Sequence, residues 1–147
     1  MGATAAIMTS MGLIAGLTQG DTMKNATIAG LLIVAIVDNI SDSLGIHIYK
    51  EAEGANRKDI FSATYGNFLT RILIVFSFIL IVFFFPSMLS LIISSIWGLA
   101  LLIVLSLSIA HAKKSSIPTE IIWHVVNAVM ILIICKLLGL LIYGHIR

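Results

Sequence analysis

The sequence predicts an all-α membrane protein, a bundle of five transmembrane helices. Of its 147 residues, 59% are hydrophobic and only 11% are charged, whereas a soluble domain has about 25% charged residues. The apolar residues also fall into five runs, most of them long enough to cross a bilayer. Polar residues are concentrated in the short segments between these runs. We therefore expect one transmembrane domain, residues 1–147, surrounded by lipid.

The first two helices are predicted over about residues 2–17 and 24–49. The first is short for a membrane span and contains Gly12 and Gly16, a GxxxG pair that allows close helix approach. The alternative is that these glycines only reflect the general abundance of glycine in membrane helices. The sequence TQGD, residues 18–21, predicts the turn between the two helices.

The other three helices are predicted over about residues 60–85, 88–110 and 118–143. A charged stretch, residues 50–59, precedes the third helix, and Arg71 within that helix could reach the membrane surface or pair with an acid. Pro86 and Ser87 predict a tight hairpin before the fourth helix. Pro118 is a favoured residue at the start of the fifth.

The distribution of basic residues predicts the orientation of the chain. The loops after helices two and four carry most of the positive charge: Lys50, Arg57, Lys58, Lys113 and Lys114. The positive-inside rule then places the N-terminus and both loops in the cytoplasm, and the C-terminus outside or in a lumen. Short basic clusters between apolar runs fit membrane topology, so we expect no nucleic-acid partner.

The second helix carries two carboxylates inside an apolar run. Asp38, Ser41, Asp42 and Gly45 fall within an arc of about 100°, because an α-helix has 3.6 residues per turn. One acid near mid-membrane costs about 2.5–3.5 kcal/mol, and such acids tend to mark ion or proton pathways. Oxygen ligands suit Mg²⁺, Mn²⁺, Ca²⁺ or Fe²⁺. The face is a candidate metal site, proton site or exchange site; the alternative is that its acids pair with Arg71 and fix helix packing.

A second polar cluster is predicted near the start of helix five. Glu120, His124 and Asn127 share one helical face at positions i, i+4 and i+7, and a carboxylate with an imidazole can bind a divalent ion. The structural alternative is a glutamate favoured by the helix dipole beside an interfacial histidine. We include Glu120 and His124 among the candidate metal ligands.

The motifs of common enzymes are missing from the sequence. There is no HExxH, no phosphate-binding loop, no nucleotide fingerprint and no sensibly placed Ser/His/Asp arrangement. We therefore expect neither an enzyme nor a resident cofactor. The single cysteine, Cys135, excludes an intramolecular disulfide and a cysteine metal cluster.

Two segments resemble a known family of membrane carriers. TSMGLIAG, residues 9–16, is similar to TTFALVAG, and IAGLLIVAIVDNISDSLG, residues 28–45, is similar to LAGLANLIADGLSMAVGEY. Both patterns are typical of the vacuolar iron transporter family, which carries iron and manganese. The resemblance also extends to the five-helix plan. The positions that agree are Thr9, Gly16, Gly30, Asp38, Ser41 and Gly45.

The chain departs from the family pattern at several functional positions. The family's first-helix aspartate falls on Ala5, its second-helix methionine on Asp42, and the glutamate and tyrosine after it on Ile46 and His47. The long glutamate-rich connection between helices two and three is here short. One interpretation is that Asp42 replaces the lost carboxylate. Another is a divergent relative with a different substrate or with no transport activity.

The resemblance implies a homodimer with an ion path between the first and second helices, and exchange of the ion for protons. We therefore expect a carrier that moves Fe²⁺ or Mn²⁺ out of the cytoplasm. Asp38 and Asp42 would be primary ligands, Ser41 and Asn39 secondary oxygen ligands, and Thr9 would line the path. The alternatives are a non-transporting subunit or scaffold that uses the acids for helix pairing and, ranked third, a proton-coupled carrier of a small organic solute.

Overall fold

The computed structural model describes residues 2–18, 24–113 and 116–145. These residues form five helices and no strand, which confirms the predicted fold class: α1 Gly2–Leu17, α2 Lys24–Ala52, α3 Arg57–Phe84, α4 Ser87–Lys113 and α5 Ile117–His145. The helices α2 to α5 are long and apolar enough to cross a membrane. With 16 residues, α1 is about 24 Å long, shorter than a typical span. Whether α1 crosses the bilayer stays a prediction.

The helical part of the α2–α3 hairpin is longer than the sequence pattern predicted. Helix α2 continues to Ala52, and α3 begins at Arg57. Gly54 adopts a positive φ of 73°, a conformation that glycine reaches without strain. Asn56 caps α3, because its side-chain Oδ1 accepts a hydrogen bond from the Asp59 backbone N–H at 3.0 Å. Most of the charged stretch is therefore helical.

Helix α1 packs against each of the other four helices. Its side chains Ile7, Met11 and Ile14 are almost fully buried, and they join a core that includes Phe78 of α3 and Leu102 of α4. The outer faces of the longer helices instead expose many large apolar side chains. A surface of this kind suits contact with lipid rather than with water.

The Gly12 and Gly16 pair allows α1 and α5 to pack closely. A Cβ atom on Gly12 would lie 3.0 Å from Cys135 Sγ and 3.1 Å from Ile131 Cγ2, and one on Gly16 would lie 3.3 Å from the Cys135 carbonyl oxygen. The glycine pair thus has a packing role, and the helix that it contacts is α5 of the same chain.

Replacing Gly12 by valine is expected to destabilise the protein by about 1–3 kcal/mol, because the added methyl groups would overlap α5. The matched control is Gly66→Val in α3, where an added Cβ meets no atom within 4 Å. Thermal unfolding in detergent, followed by tryptophan fluorescence, measures the difference. Equal transition temperatures for the two variants would contradict this packing.

Charged side chains bind helix ends on one side of the bundle. Lys24 Nζ, at the start of α2, donates a hydrogen bond to the Phe83 carbonyl oxygen at the end of α3, at 2.7 Å. Lys136 Nζ on α5 donates to the Thr18 carbonyl oxygen, just after α1, at 3.3 Å. A cation at a helix C-terminus interacts favourably with the unpaired carbonyl groups there. The sequence pattern around Lys136 does not predict this contact.

Candidate metal site

An open groove lies along the outward face of α2. Asp38, Ser41, Asp42 and Gly45 line it, together with Gly2 of α1 and, further along α2, Ile46 and Tyr49. Its volume is about 580 Å³. The side chain of Asp38 is 46% exposed and that of Asp42 is 38% exposed. The predicted oxygen-lined face therefore forms as expected, and both carboxylates are accessible from the groove.

Arg71 lies behind the two carboxylates and pairs with both. Its side chain is only 2% exposed. Nη2 donates to Asp38 Oδ2, while Nη1 lies 3.1 Å from Asp42 Oδ2 and donates to the Gly2 carbonyl oxygen at 2.9 Å. One guanidinium group thus connects α1, α2 and α3. Charge-assisted contacts of this kind are stronger than neutral hydrogen bonds.

Asn67 is a further part of the site that was not predicted from the sequence. Its Nδ2 donates to Asp42 Oδ2 at 3.0 Å and to Ser43 Oγ at 3.2 Å. Because Asn67 precedes Arg71 by four residues, the two share one face of α3. A side-chain amide on the same helical face as Arg71 was the signal that could have identified it.

Gly2 allows α1 to begin directly against this cluster. A Cβ atom on Gly2 would lie 2.9 Å from Asp42 Oδ2 and 2.8 Å from Asn67 Cγ. Any larger residue would therefore displace the side chains that hold Asp42. The same Gly2 also supplies the carbonyl group that Arg71 binds.

Neither Asn39 nor Thr9 joins the two aspartates. The Asn39 side chain is buried; its Nδ2 donates to the Phe68 carbonyl oxygen at 2.9 Å, and its Oδ1 accepts from Ser43 Oγ at 3.5 Å. Its amide is thus used in the contact between α2 and α3. Thr9 lines a separate, largely apolar groove between α1 and α5. Neither residue lines the aspartate groove, so we omit both from the proposed ligand set.

Glu120 and His124 point to different partners. His124 Nδ1 lies 2.9 Å from Ser106 Oγ of α4 and 2.9 Å from the Glu120 backbone carbonyl oxygen. The Glu120 carboxylate lies 3.9 Å from Lys113 Nζ. The imidazole therefore connects α4 and α5, and the Glu120 carboxylate pairs with a lysine. Their role as metal ligands remains a prediction.

The cytoplasmic end of α2, in the predicted orientation, carries a separate group of polar residues. His47 Nδ1 lies 3.4 Å from Thr64 Oγ1 of α3, and Lys50 Nζ lies 2.8 Å from Glu53 Oε2. The hydrogen bond from Lys50, together with a weaker one from Tyr49, holds the pKa of Glu53 below its usual range. Glu53 is thus ionised and paired, as expected for a solvated hairpin.

The part of the chain that the structure describes contains no group of three or more His, Cys, Asp or Glu residues placed to hold a metal ion. A single chain thus offers two carboxylates and the Ser41 hydroxyl at the groove. No family model, no curated protein and no solved structure matches the chain. The resemblance to the vacuolar iron transporters rests on the two sequence segments and the helix plan.

Proposed function

We propose that this protein carries divalent metal cations, Fe²⁺ or Mn²⁺, across a membrane and away from the cytoplasm, and that Asp38 and Asp42 bind the ion. The observation that supports this most is the pair of accessible carboxylates on the α2 groove. Each uses Oδ2 for Arg71, and neither Oδ1 atom has a hydrogen-bond partner among the residues described. Both Oδ1 atoms are thus available to a cation, and Ser41 lines the same groove.

The depth of the two acids is compatible with transport. At 1.5 Å per residue, Asp38 and Asp42 lie about 21 and 27 Å along α2 from Lys24. A hydrocarbon layer about 30 Å thick with its boundary at Lys24 would include both, in the third furthest from that residue. In the proposed orientation this third is the cytoplasmic one. An ion entering from the cytoplasm would then meet both carboxylates within the first third of the hydrocarbon layer.

The ligand count supports the proposed homodimer. Fe²⁺ and Mn²⁺ commonly take about six ligands, and one groove offers roughly three side-chain oxygens. Two copies that face each other across this groove would supply four carboxylates. Covering the groove would also remove half-exposed acids from contact with lipid, where charged groups are costly. Protons could replace the ion on these carboxylates, and proton exchange is therefore part of the proposal.

Uptake into liposomes tests the proposed activity. The purified protein is reconstituted around a metal-quenched dye, with an acidic interior, and Mn²⁺, Fe²⁺ or Mg²⁺ is added outside. We expect Mn²⁺ and Fe²⁺ to enter at least ten times faster than in protein-free liposomes, and to enter more slowly once the pH gradient is removed. Rates equal to those of protein-free liposomes for all three ions would reject a divalent-cation carrier.

The contacts of Arg71 also favour a second candidate, a non-transporting membrane subunit whose acids join helices. Arg71 binds groups on α1 and α2 from its position on α3. A scaffold of this kind would show no uptake, while Asp38→Asn would still lower its unfolding temperature. The liposome experiment with the wild-type chain thus separates the two functions.

A further inference from the structure

Arg71 places a fixed positive charge on the same two carboxylates that the proposed cargo would use. Its guanidinium group is almost fully buried and binds Oδ2 of both Asp38 and Asp42. With the two acids ionised, the three side chains carry a net charge of −1. The groove is therefore weakly negative, whereas two unpaired carboxylates would give it a charge of −2.

A divalent cation on the two Oδ1 atoms would share both carboxylates with the guanidinium group. Like charges a few ångströms apart repel strongly where little water screens them. Part of the attraction between ion and acids is thus offset for as long as Arg71 stays in contact. The ion binds best when the carboxylates turn away from Arg71 and towards the groove.

The environment of Arg71 accommodates such a change. Nη1 already donates to the Gly2 carbonyl oxygen at 2.9 Å, so it keeps a hydrogen-bond acceptor when Asp42 turns away. Asn67 donates to Asp42 Oδ2 at 3.0 Å and is a neutral group that can stay with the carboxylate. The arginine also has one buried nitrogen, Nε, without a hydrogen-bond partner among the residues that the structure describes, so its hydrogen bonding there is already incomplete.

We propose that Arg71 is a resident counter-cation that competes with the transported metal ion for Asp38 and Asp42, lowers the affinity for that ion and promotes its release. This inference rests on the proposed function and adds the residue that regulates the site. In a carrier, an ion bound too tightly leaves slowly, so a tethered cation that reoccupies the carboxylates favours turnover. Arg71 is a positioning residue here, since it acts on the ion through the aspartates.

Titration of purified protein in nanodiscs with Mn²⁺ alone, followed by the electron paramagnetic resonance signal of free Mn²⁺, tests the inference. We expect Arg71→Gln to bind Mn²⁺ at least ten times more tightly than wild type and to take it up into liposomes more slowly. Arg71→Lys keeps a positive charge but lacks the planar guanidinium group. We expect its affinity for Mn²⁺ to lie between those of wild type and Arg71→Gln. The matched control is Arg57→Gln, which removes an exposed arginine at the start of α3 and should bind like wild type.

A purely structural arginine predicts the opposite result, because loosening the site would weaken binding. If wild type binds Mn²⁺ and Arg71→Gln binds it no more tightly, the counter-cation role is wrong and the proposed function stands. If Arg71→Gln folds poorly without metal, its unfolding temperature should rise more with Mn²⁺ than that of wild type. The lack of such a rise would also overturn the role. If wild type neither binds nor transports Mn²⁺ or Fe²⁺, both proposals fail.

Discussion

Replacing Arg71 by methionine is expected to lower the free energy of unfolding by about 2 kcal/mol. Removing one partner of a fully buried ion pair costs about 3–5 kcal/mol, because the remaining charge is left without compensation. We expect a smaller loss here, since Asp38 and Asp42 are 46% and 38% exposed. The variant would leave two carboxylates side by side and would remove the contact with Gly2.

Removing all three charges together is expected to recover most of this loss. The triple variant Arg71→Met, Asp38→Asn, Asp42→Asn has no uncompensated charge, and neutral replacements of buried ionic groups are often tolerated. Thermal unfolding in detergent micelles compares both variants with Arg57→Met, the exposed-arginine control. An Arg71→Met protein as stable as wild type would show that the contacts of the guanidinium group with α1 and α2 do not stabilise the fold.

Replacing Asp38 by asparagine is expected to reduce Mn²⁺ or Fe²⁺ uptake at least tenfold and to leave the fold intact. The amide lacks the negative charge that attracts a divalent cation, but its carbonyl oxygen can still accept a hydrogen bond from Arg71. Asp42→Asn should lose transport as well. We expect it to be the less stable variant, because Asp42 Oδ2 also accepts from Asn67.

The control for these variants is Asp59→Asn, which removes an exposed carboxylate at the start of α3. Its backbone N–H still donates to the Asn56 cap, and its amide oxygen can still accept from Asn56 Nδ2 as the carboxylate does, so the helix start is preserved. Initial uptake rates in proteoliposomes, normalised to reconstituted protein, measure the effect. Loss of uptake in Asp59→Asn to the same extent would indicate a general effect of charge rather than an ion site on α2.

The helices could be predicted because apolar runs of membrane length are a strong signal. The Pro86 break and the shared face of Asp38, Ser41 and Asp42 also follow directly from local sequence. The predicted positions of the helix ends beside the charged hairpin were less accurate, because Lys and Glu are compatible with both helix and loop. The Asn56 cap and the Gly54 turn decide those ends.

The partners of the acids could not be predicted from helical periodicity. Periodicity shows which residues share a face of one helix, but it does not show which other helix packs against that face. The sequence allowed Arg71 to pair with an acid or to reach the surface, and only the packing of α3 against α2 selects the former. Asn39 follows Asp38 in sequence but lies about 100° away around the helix, and it therefore faces α3. The proximity of Gly2 to Asp42 depends on how α1 docks, which local sequence does not encode.

The decisive measurement is the initial rate of Mn²⁺ entry into liposomes. Wild type is compared side by side with the Asp38→Asn, Asp42→Asn double variant. We expect wild type to admit Mn²⁺ at least ten times faster than protein-free liposomes do, and the double variant to admit it at the protein-free rate. Equal and rapid entry through both proteins would show that the two carboxylates on α2 do not carry the ion.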